Sequence, residues 1–256
     1  MSARDDRPTI ARPSLVTLAL KRALDVVGSA LGLVILSMIF LIVAIAIKRD
    51  SPGPVFFRQD RVGRDGREFR IYKFRSMGVR RAAGDTALTV RADKRVTRVG
   101  AVLRKTKLDE LPQLINVLFG DMSLVGPRPE VPEFMKFYSS EQRAIILSVR
   151  PGMTDYAAIL FRDESSLLDR DDDPVILYRH KIMPIKFGYY ERYCREIGLL
   201  NDLRIILTTV MLLAGGRVPR WFGIESELKI ASVPSSKGRD ITKAPDIPAS
   251  TRSKPE

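Results

Sequence analysis

The stretch VVGSALGLVILSMIFLIVAIAI, Val26 to Ile47, decides how the rest of the chain is read. It holds no charged residue. As a helix its length is about 33 Å, close to the thickness of a bilayer's hydrocarbon core. The run is too long for a signal peptide, and no small-residue cleavage site follows it. It predicts a membrane-inserted helix over residues 20–50, behind a polar, Pro- and Arg-bearing leader over 1–19.

Both flanks of the run are basic. Arg4, Arg7, Arg12, Lys21 and Arg22 precede it; Lys48, Arg49, Arg58, Arg61, Arg64 and Arg67 follow. Basic flanks stay cytoplasmic, so a straight span must leave one of them on the wrong side. A re-entrant helix that enters and leaves by one face satisfies both, with Gly28, Ser29, Gly32 and Ser37 as points for a bend. A plain single-pass anchor is the competing reading.

The 256 residues suffice for one sizeable domain plus appendages, and the net charge of +13 calls for anionic partners. Anionic membrane lipids and phosphorylated substrates fit that sign; no nucleic-acid-binding fold signature is present. One cysteine, Cys194, excludes a disulfide framework, and one histidine, His180, excludes a multi-histidine zinc site. The chemistry left is that of carboxylates, Lys, Arg and an oxygen-bound metal.

SPGP (51–54) breaks the helix, and VFFRQDRVGRDGREFRIYKFRSM (55–77) alternates around Arg64-Asp65-Gly66 as a β-hairpin does. Val96–Leu103 turns helical, and Leu111, Leu114, Ile115 and Leu118 mark a buried helix face. GDMSLVGPRPEVP (120–132) is a punctuated loop, and 133–149 read as helix. DRDDDP (169–174) is a solvated acidic loop. NDLRIILTTVMLLAGG (201–216) is amphipathic and too short to span; it lies along a membrane interface or packs on the domain. The fold expected is α+β and mainly helical: a compact domain over 51–230 with a short hairpin and amphipathic interface helices, then a tail over 231–256 of disordered composition.

Within that domain, RKTKLDELPQL (104–114) places two carboxylates, Asp109 and Glu110, ahead of Pro112. Proline is tolerated in a helix's first turn, which puts Asp109 near the N-cap and Glu110 at the first helical position. The helix end would favour an ionised carboxylate by ~0.3–1 kcal/mol, and capping alone explains the pair. Yet Arg104, Lys105 and Lys107 precede it and Arg128 follows in the GPRP loop. A helix N-terminus attracts phosphate, Asp is a competent nucleophile towards phosphorus, and an adjacent Glu can hold Mg²⁺. Those parts suit transfer of a phosphoryl or phosphosugar group.

KRALD (21–25), the apolar helix, IYKFRSM (71–77), LDELPQLINVLFGDMSLVGPRPE (108–130) and VRPGMTDYAA (149–158) together resemble the bacterial sugar transferases. More narrowly, they look like monotopic phosphoglycosyl transferases of bacterial inner membranes, whose catalytic domain faces the cytoplasm. The resemblance implies that Asp109 attacks the β-phosphate of a UDP-sugar, expels UMP and carries the phosphosugar. Glu110, with Asp109, would associate with Mg²⁺. Polyprenyl (undecaprenyl) phosphate then takes the phosphosugar, the first membrane step of exopolysaccharide, lipopolysaccharide O-antigen or glycoconjugate synthesis. The family's basic substrate-binding positions fall on Lys73, Arg75, Arg104, Arg128 and Arg162.

The sequence departs from the family at two places. Ser37-Met38 stands where the best-understood relatives carry a Ser-Pro break in the membrane helix. Asp155-Tyr156 and Leu160-Phe161-Arg162 replace the family's Gly-Trp and Asn-Gly-Arg, in loops expected to meet nucleotide or sugar. Two competing functions remain: a non-enzymatic basic membrane module binding anionic lipid or nucleic acid, and an enzyme that transfers the sugar alone and releases UDP.

Overall fold

The computed structural model describes residues 13–78, 95–162, 164, 168, 174–219 and 222. The leader up to residue 12, most of the acidic loop (169–173) and the expected tail lie outside them. The N-terminal apolar segment is two helices: α1 (Leu15–Ile35), capped by Ser14, and α2 (Ser37–Asp50), bent by 60° at Leu36. Among the described residues no single helix is long and apolar enough to cross a membrane, whereas the bent pair together has that length and composition.

α1 is polar on its inner face. Lys21, Asp25 and Ser29, each four residues from the next, are buried, while Val27, Leu31, Val34 and Ile35 face outward. This inverts the amphipathicity of a helix on a water-facing domain. Lys21 Nζ lies 2.6 Å from Asp202 Oδ2 and donates to the Val125 carbonyl at 2.8 Å. Arg22 donates to the carbonyls of Val117 and Leu118, and Asp25 Oδ1 accepts from Ser123 Oγ and Leu124 N–H. Lys21 and Arg22, counted above as flank charges that set topology, are therefore docking groups. Gly28 and Gly32 also differ from expectation. They permit close packing against Leu124 and Leu114, where an added Cβ would approach to 2.8 Å and 3.1 Å, and the bend lies beyond them.

The hairpin forms as expected. β1 (Phe56–Val62) and β2 (Glu68–Phe74) pair antiparallel, from Phe56 opposite Phe74 to Val62 opposite Glu68, around a turn with Asp65 and Gly66 in the left-handed region. α3 (Arg98–Thr106) starts at the Thr97 cap and ends at Lys107, whose φ of 60° reverses the chain. A 3-10 turn, Leu108–Glu110, follows, and α4 spans Gln113–Phe119. The expected capping role of Asp109 is thus not met. Pro112 is the N-cap, and the Leu111 and Pro112 carbonyls accept the first free N–H groups, those of Leu114 and Ile115. Inside α4, fully buried Asn116 accepts from Tyr72 N–H and donates to the Arg70 carbonyl and Asp121 Oδ2, fastening the helix to β2.

β3 (Ser123–Val125) and β4 (Gly152–Thr154) pair in parallel. The expected single helix over 133–149 is two, α5 (Pro132–Met135) and α6 (Ser140–Ile146), because Ser139 starts α6 with a full capping box to Gln142. α7 (Tyr156–Leu160), α8 (Pro174–Leu177), a π turn at Tyr178–Ile182, α9 (Met183–Arg195) and α10 (Leu199–Leu213) complete the body. α10 packs on the domain through Asp202, Ile205, Thr208 and Leu212, leaving Leu203, Leu207, Val210 and Met211 outward. Tyr189, Tyr190 and Tyr193 are buried.

Asp155 is the N-cap of α7. Its Oδ1 accepts from Ala158 N–H at 2.6 Å and its Oδ2 from Arg128 N–H at 3.0 Å, tying the Gly126–Glu130 loop to the helix. Tyr156 points into the core and donates to Glu196 and Asn201. The Asp-Tyr pair, expected near nucleotide or sugar, is therefore a structural fastener.

Lys21→Met leaves Asp202 unpaired in the core and should cost about 3–5 kcal/mol in unfolding of the detergent-solubilised protein. Lys21→Met with Asp202→Asn should recover part of that loss; an unchanged single variant would contradict the docking role. Burial pushes the Asp155 carboxyl up to about 6, against hydrogen bonds from Ala158 and Arg128 that favour its charge. The folded state then binds more protons than the unfolded one between its ordinary value of 3.8 and about 6. Stability from Asp155 is therefore lost as pH rises through that window. The difference between wild type and Asp155→Asn should fall by up to roughly 3 kcal/mol across it, read from denaturant unfolding.

Candidate active site

A cleft of ≈ 1190 Å³ runs between the hairpin, the turn before α4, the Gly126–Glu130 loop, α7 and α9. The chain reversal at Lys107 brings Arg104, Lys107, Asp109 and Glu110 to its wall. A non-glycine residue rarely adopts that left-handed backbone, and here it turns the end of α3 towards the site.

Glu110 is pinned from two sides. Lys73 Nζ, from β2, donates to Oε1 at 3.0 Å, and Arg128 grips both oxygens, with Nη1 on Oε2 at 3.1 Å and Nη2 on Oε1. Arg128 is placed by its backbone. Pro127 and Pro129 restrict the chain on either side, and Asp155 holds its N–H. Thr154 O accepts from Gly126 N–H, and Arg61 Nη1 donates to Pro129 O. Gly126 and Gly152 let the two loops touch; a Cβ on Gly152 would lie 2.0 Å from Gly126 N.

The two carboxylates differ in environment. Burial disfavours a charged Glu110, but the charges of Arg128 and Lys73 and the Arg128 hydrogen bond outweigh it and hold the carboxyl well below its ordinary range. Asp109 is buried, and its Oδ1 has no hydrogen-bond partner among the described residues. Burial, then the Glu110 charge, raise its affinity for a proton; Lys73, Arg104 and Lys107 oppose them. One carboxylate is locked as an anion, while its neighbour lines the cleft and has a buried oxygen with no partner among the described residues. Environments that push two adjacent acids apart mark a division of roles. Lys73, Arg104, Lys107 and Arg128 outnumber the two acids, which favours a phosphate-bearing ligand.

Of the basic residues expected at the site, Lys73 and Arg128 meet Glu110, and Arg104 lines the cleft with its guanidinium in no ion pair among the described residues. Arg75 and Arg162 also line it, with the Arg75 Nη1 and Nη2 groups and Arg162 Nη1 engaged elsewhere and Arg75 Nε without a partner among the described residues. Arg75 holds the Ser51 and Pro52 carbonyls at the end of α2, and Arg162 holds the Leu212 carbonyl at the end of α10. Sequence reasoning missed Glu164 and Lys186, which form an ion pair in the same cleft. A lysine inside the helical run PIKFGYY was a faint signal of a paired, buried charge.

A family model described as Bacterial sugar transferase matches residues 16–216. The chain is 41% identical over 206 residues to the UDP-glucose:undecaprenyl-phosphate glucose-1-phosphate transferase of Caulobacter vibrioides, covering 80% of this chain and 73% of that protein. It is 43% identical over 209 residues to the exopolysaccharide production protein PSS of Rhizobium leguminosarum bv. phaseoli, covering 76% of this chain and 94% of the relative. It is also 37% identical over 206 residues to the UDP-N-acetylgalactosamine-undecaprenyl-phosphate N-acetylgalactosaminephosphotransferase of Aeromonas hydrophila. That alignment covers 80% of this chain and 46% of the relative, so the chain spans less than half of that protein's length. With the family match running from α1 to the end of α10 across the dyad and its clamp, the chain belongs to the bacterial sugar transferase family.

Proposed function

We propose that this chain transfers a phosphosugar from a UDP-sugar to polyprenyl phosphate, undecaprenyl phosphate in a bacterial membrane, through a covalent intermediate on Asp109. The observation that carries the reading is the unengaged Oδ1 of Asp109 beside a Glu110 clamped by Lys73 and Arg128. The names of the relatives support the donor and acceptor classes.

In the first step a carboxylate oxygen of Asp109 attacks the β-phosphorus. The bond from that phosphorus to the bridging oxygen breaks, and UMP leaves with the oxygen. Arg128, Lys73 and Arg104 stabilise the charge developing on the phosphoryl oxygens. In the second step a phosphate oxygen of the polyprenyl carrier attacks the same phosphorus and Asp109 is released. Splitting one phosphoanhydride exchange in two is the work of a carboxylate nucleophile. Glu110 stays ionised throughout and holds the two cations in place.

Mg²⁺ fits this site as an ion that arrives with the donor. Among the described residues no group of three or more His, Cys, Asp or Glu side chains could hold a metal. Mg²⁺ ordinarily takes one or two carboxylates and completes its shell with water and phosphate oxygens. Asp109 and Glu110 would be those carboxylates, and the ion would supply neutralisation of diphosphate charge.

The bent pair α1–α2 is read as a re-entrant element in the membrane, with the cleft on the cytoplasmic side of a bacterial inner membrane. The outward Met38, Ile39, Leu41, Ile42 and Ile45 of α2 and the outward face of α1 support it, as does the apolar outer face of α10. Lys48 and Arg49 at the end of α2 would meet anionic headgroups.

Asp109→Asn should lower turnover by at least about 10³-fold and abolish the covalent phosphosugar adduct, with the melting temperature retained. An adduct still seen by intact-mass analysis in that variant would remove the nucleophile assignment. UDP released in place of UMP would favour transfer of the sugar alone, and no turnover would favour a lipid-binding module. For topology, a cysteine replacing Ser2 should react with a membrane-impermeant thiol reagent only from the cytoplasmic side; labelling from outside would mean a spanning segment.

A further inference from the structure

The cleft does not stop at the dyad. Beyond Arg128 it continues to Glu164, Lys186 and Tyr190, none of which the transfer step uses. Lys186 Nζ lies 2.8 Å and 2.7 Å from the two Glu164 oxygens, and the side chains are 5% and 26% exposed. Tyr190 follows Lys186 by four residues on α9, so the two share a helix face. Its residue is 1% exposed, and its hydroxyl has no hydrogen-bond partner among the described residues. A buried phenol without a partner is costly, and one in a cleft wall is matched when a ligand supplies the partner. Arg128, Glu164, Lys186 and Tyr190 line the same cleft.

Its chemistry differs from that of the dyad's surroundings. The cations available to phosphate gather around Asp109, whereas here carboxylate and ammonium balance each other. Such a neutral pair with a phenol offers donors and acceptors to hydroxyl groups and gives a phosphate no net attraction. A uracil base would favour an open aromatic face. The ammonium of Lys186 already stands over the rings of both Phe161 and Tyr178, at 5.8 Å and 5.0 Å from their centres.

We infer that Glu164, Lys186 and Tyr190 form the donor-sugar subsite, in which Glu164 and Tyr190 bond the hydroxyl groups of the hexose and Lys186 holds Glu164 in position. The inference rests on the phosphosugar-transfer reading and specifies which part of the donor lies beyond Arg128.

The test uses the full chain in detergent with polyprenyl phosphate. UMP release is measured from UDP-glucose, UDP-galactose and their 2-acetamido counterparts, with inhibition by UMP recorded in parallel. Tyr190→Phe and Glu164→Gln should raise KM for the preferred donor by about tenfold and change the kcat/KM ratio between glucose and galactose donors. The UMP inhibition constant should stay within about twofold, because UMP lacks the sugar. Equal losses on every donor, with the ratio unchanged, would overturn the assignment in favour of a structural pair. A parallel weakening of UMP inhibition would also overturn it, by placing the nucleotide there. Tyr190→Phe keeps the shape of the ring and decides the question if Glu164→Gln does not fold. A wild-type chain that releases UMP from no donor overturns the transfer reading itself, and the subsite with it.

Discussion

The contact between Lys21 and Asp202 ties the N-terminal helices to the rest of the fold. It joins α1 to α10, and through the Val125 carbonyl and the Tyr193 hydroxyl it also reaches β3 and α9. Four elements from distant parts of the chain meet at one buried charge pair. Such a pair adds little net stability over an apolar substitute of the same shape, because both ions lose their hydration. What it specifies is register. Only one rotation of α1 puts Lys21 on Asp202 and, one turn later, Asp25 on the N–H of Leu124. Once that rotation is set, the apolar residues of α1 have nowhere to go but outward, which is how a helix docked on a polar surface keeps a lipid-compatible face.

The site inherits its rigidity from the same layer. β3 lies against Asp25 on one side and pairs with β4 on the other, and the loop leaving β3 carries Arg128. Asp155, just past β4, holds the N–H of Arg128, while Arg128 and Lys73 hold Glu110. Asn116 keeps α4 on the strand that supplies Lys73. The clamped carboxylate is therefore fixed from β2 and from the loop after β3, and Asp109, its neighbour, is positioned with it without spending its own Oδ1.

The elements most legible in the sequence were those with local causes. The hairpin announced itself by alternation and an Asp-Gly turn, whereas the buried face of α4 is Gln113, Leu114, Asn116 and Val117, with Leu111 ahead of the helix and Ile115 and Leu118 only half-buried. The start of α4 was misplaced by three residues, because a 3-10 turn ahead of Pro112 supplies the carbonyls that a capping side chain would have supplied. One helix over 133–149 was expected where Ser139 and Gln142 begin a new one. Tertiary roles were the hardest to read. Lys21 and Arg22 looked like flank charges, and Asp155 looked like a ligand contact, since no local pattern says which distant group a charge will meet. The carboxylate pair stood out beside Arg104, Lys105 and Lys107, and the family resemblance gave it a role that capping alone did not require. Glu164, past the end of α7, meets Lys186 and Tyr190 only where it packs on α9.

The bend at Leu36 follows from the same reasoning. Neither proline nor glycine occupies the break, and Leu36 departs from helical geometry only modestly, at φ −88° and ψ 2°. The cause lies at the two ends. α1 is fixed on β3, α4 and α10 by Lys21, Arg22 and Asp25. α2 is fixed on the hairpin and α3 by Phe40, Val43 and Ile47 packed with Phe74 and Leu103. Its end is pinned by Asp50, which accepts from Val99 N–H, and by Arg75 on the Ser51 and Pro52 carbonyls. These two docking surfaces are not collinear, so a continuous helix could satisfy only one of them. Breaking one turn at Leu36 is less costly than exposing a buried ion pair or an aromatic cluster. Proline would lower the cost of the bend further, but packing at both ends already imposes it, which is why Met38 can stand in the place where a helix-breaking residue was expected.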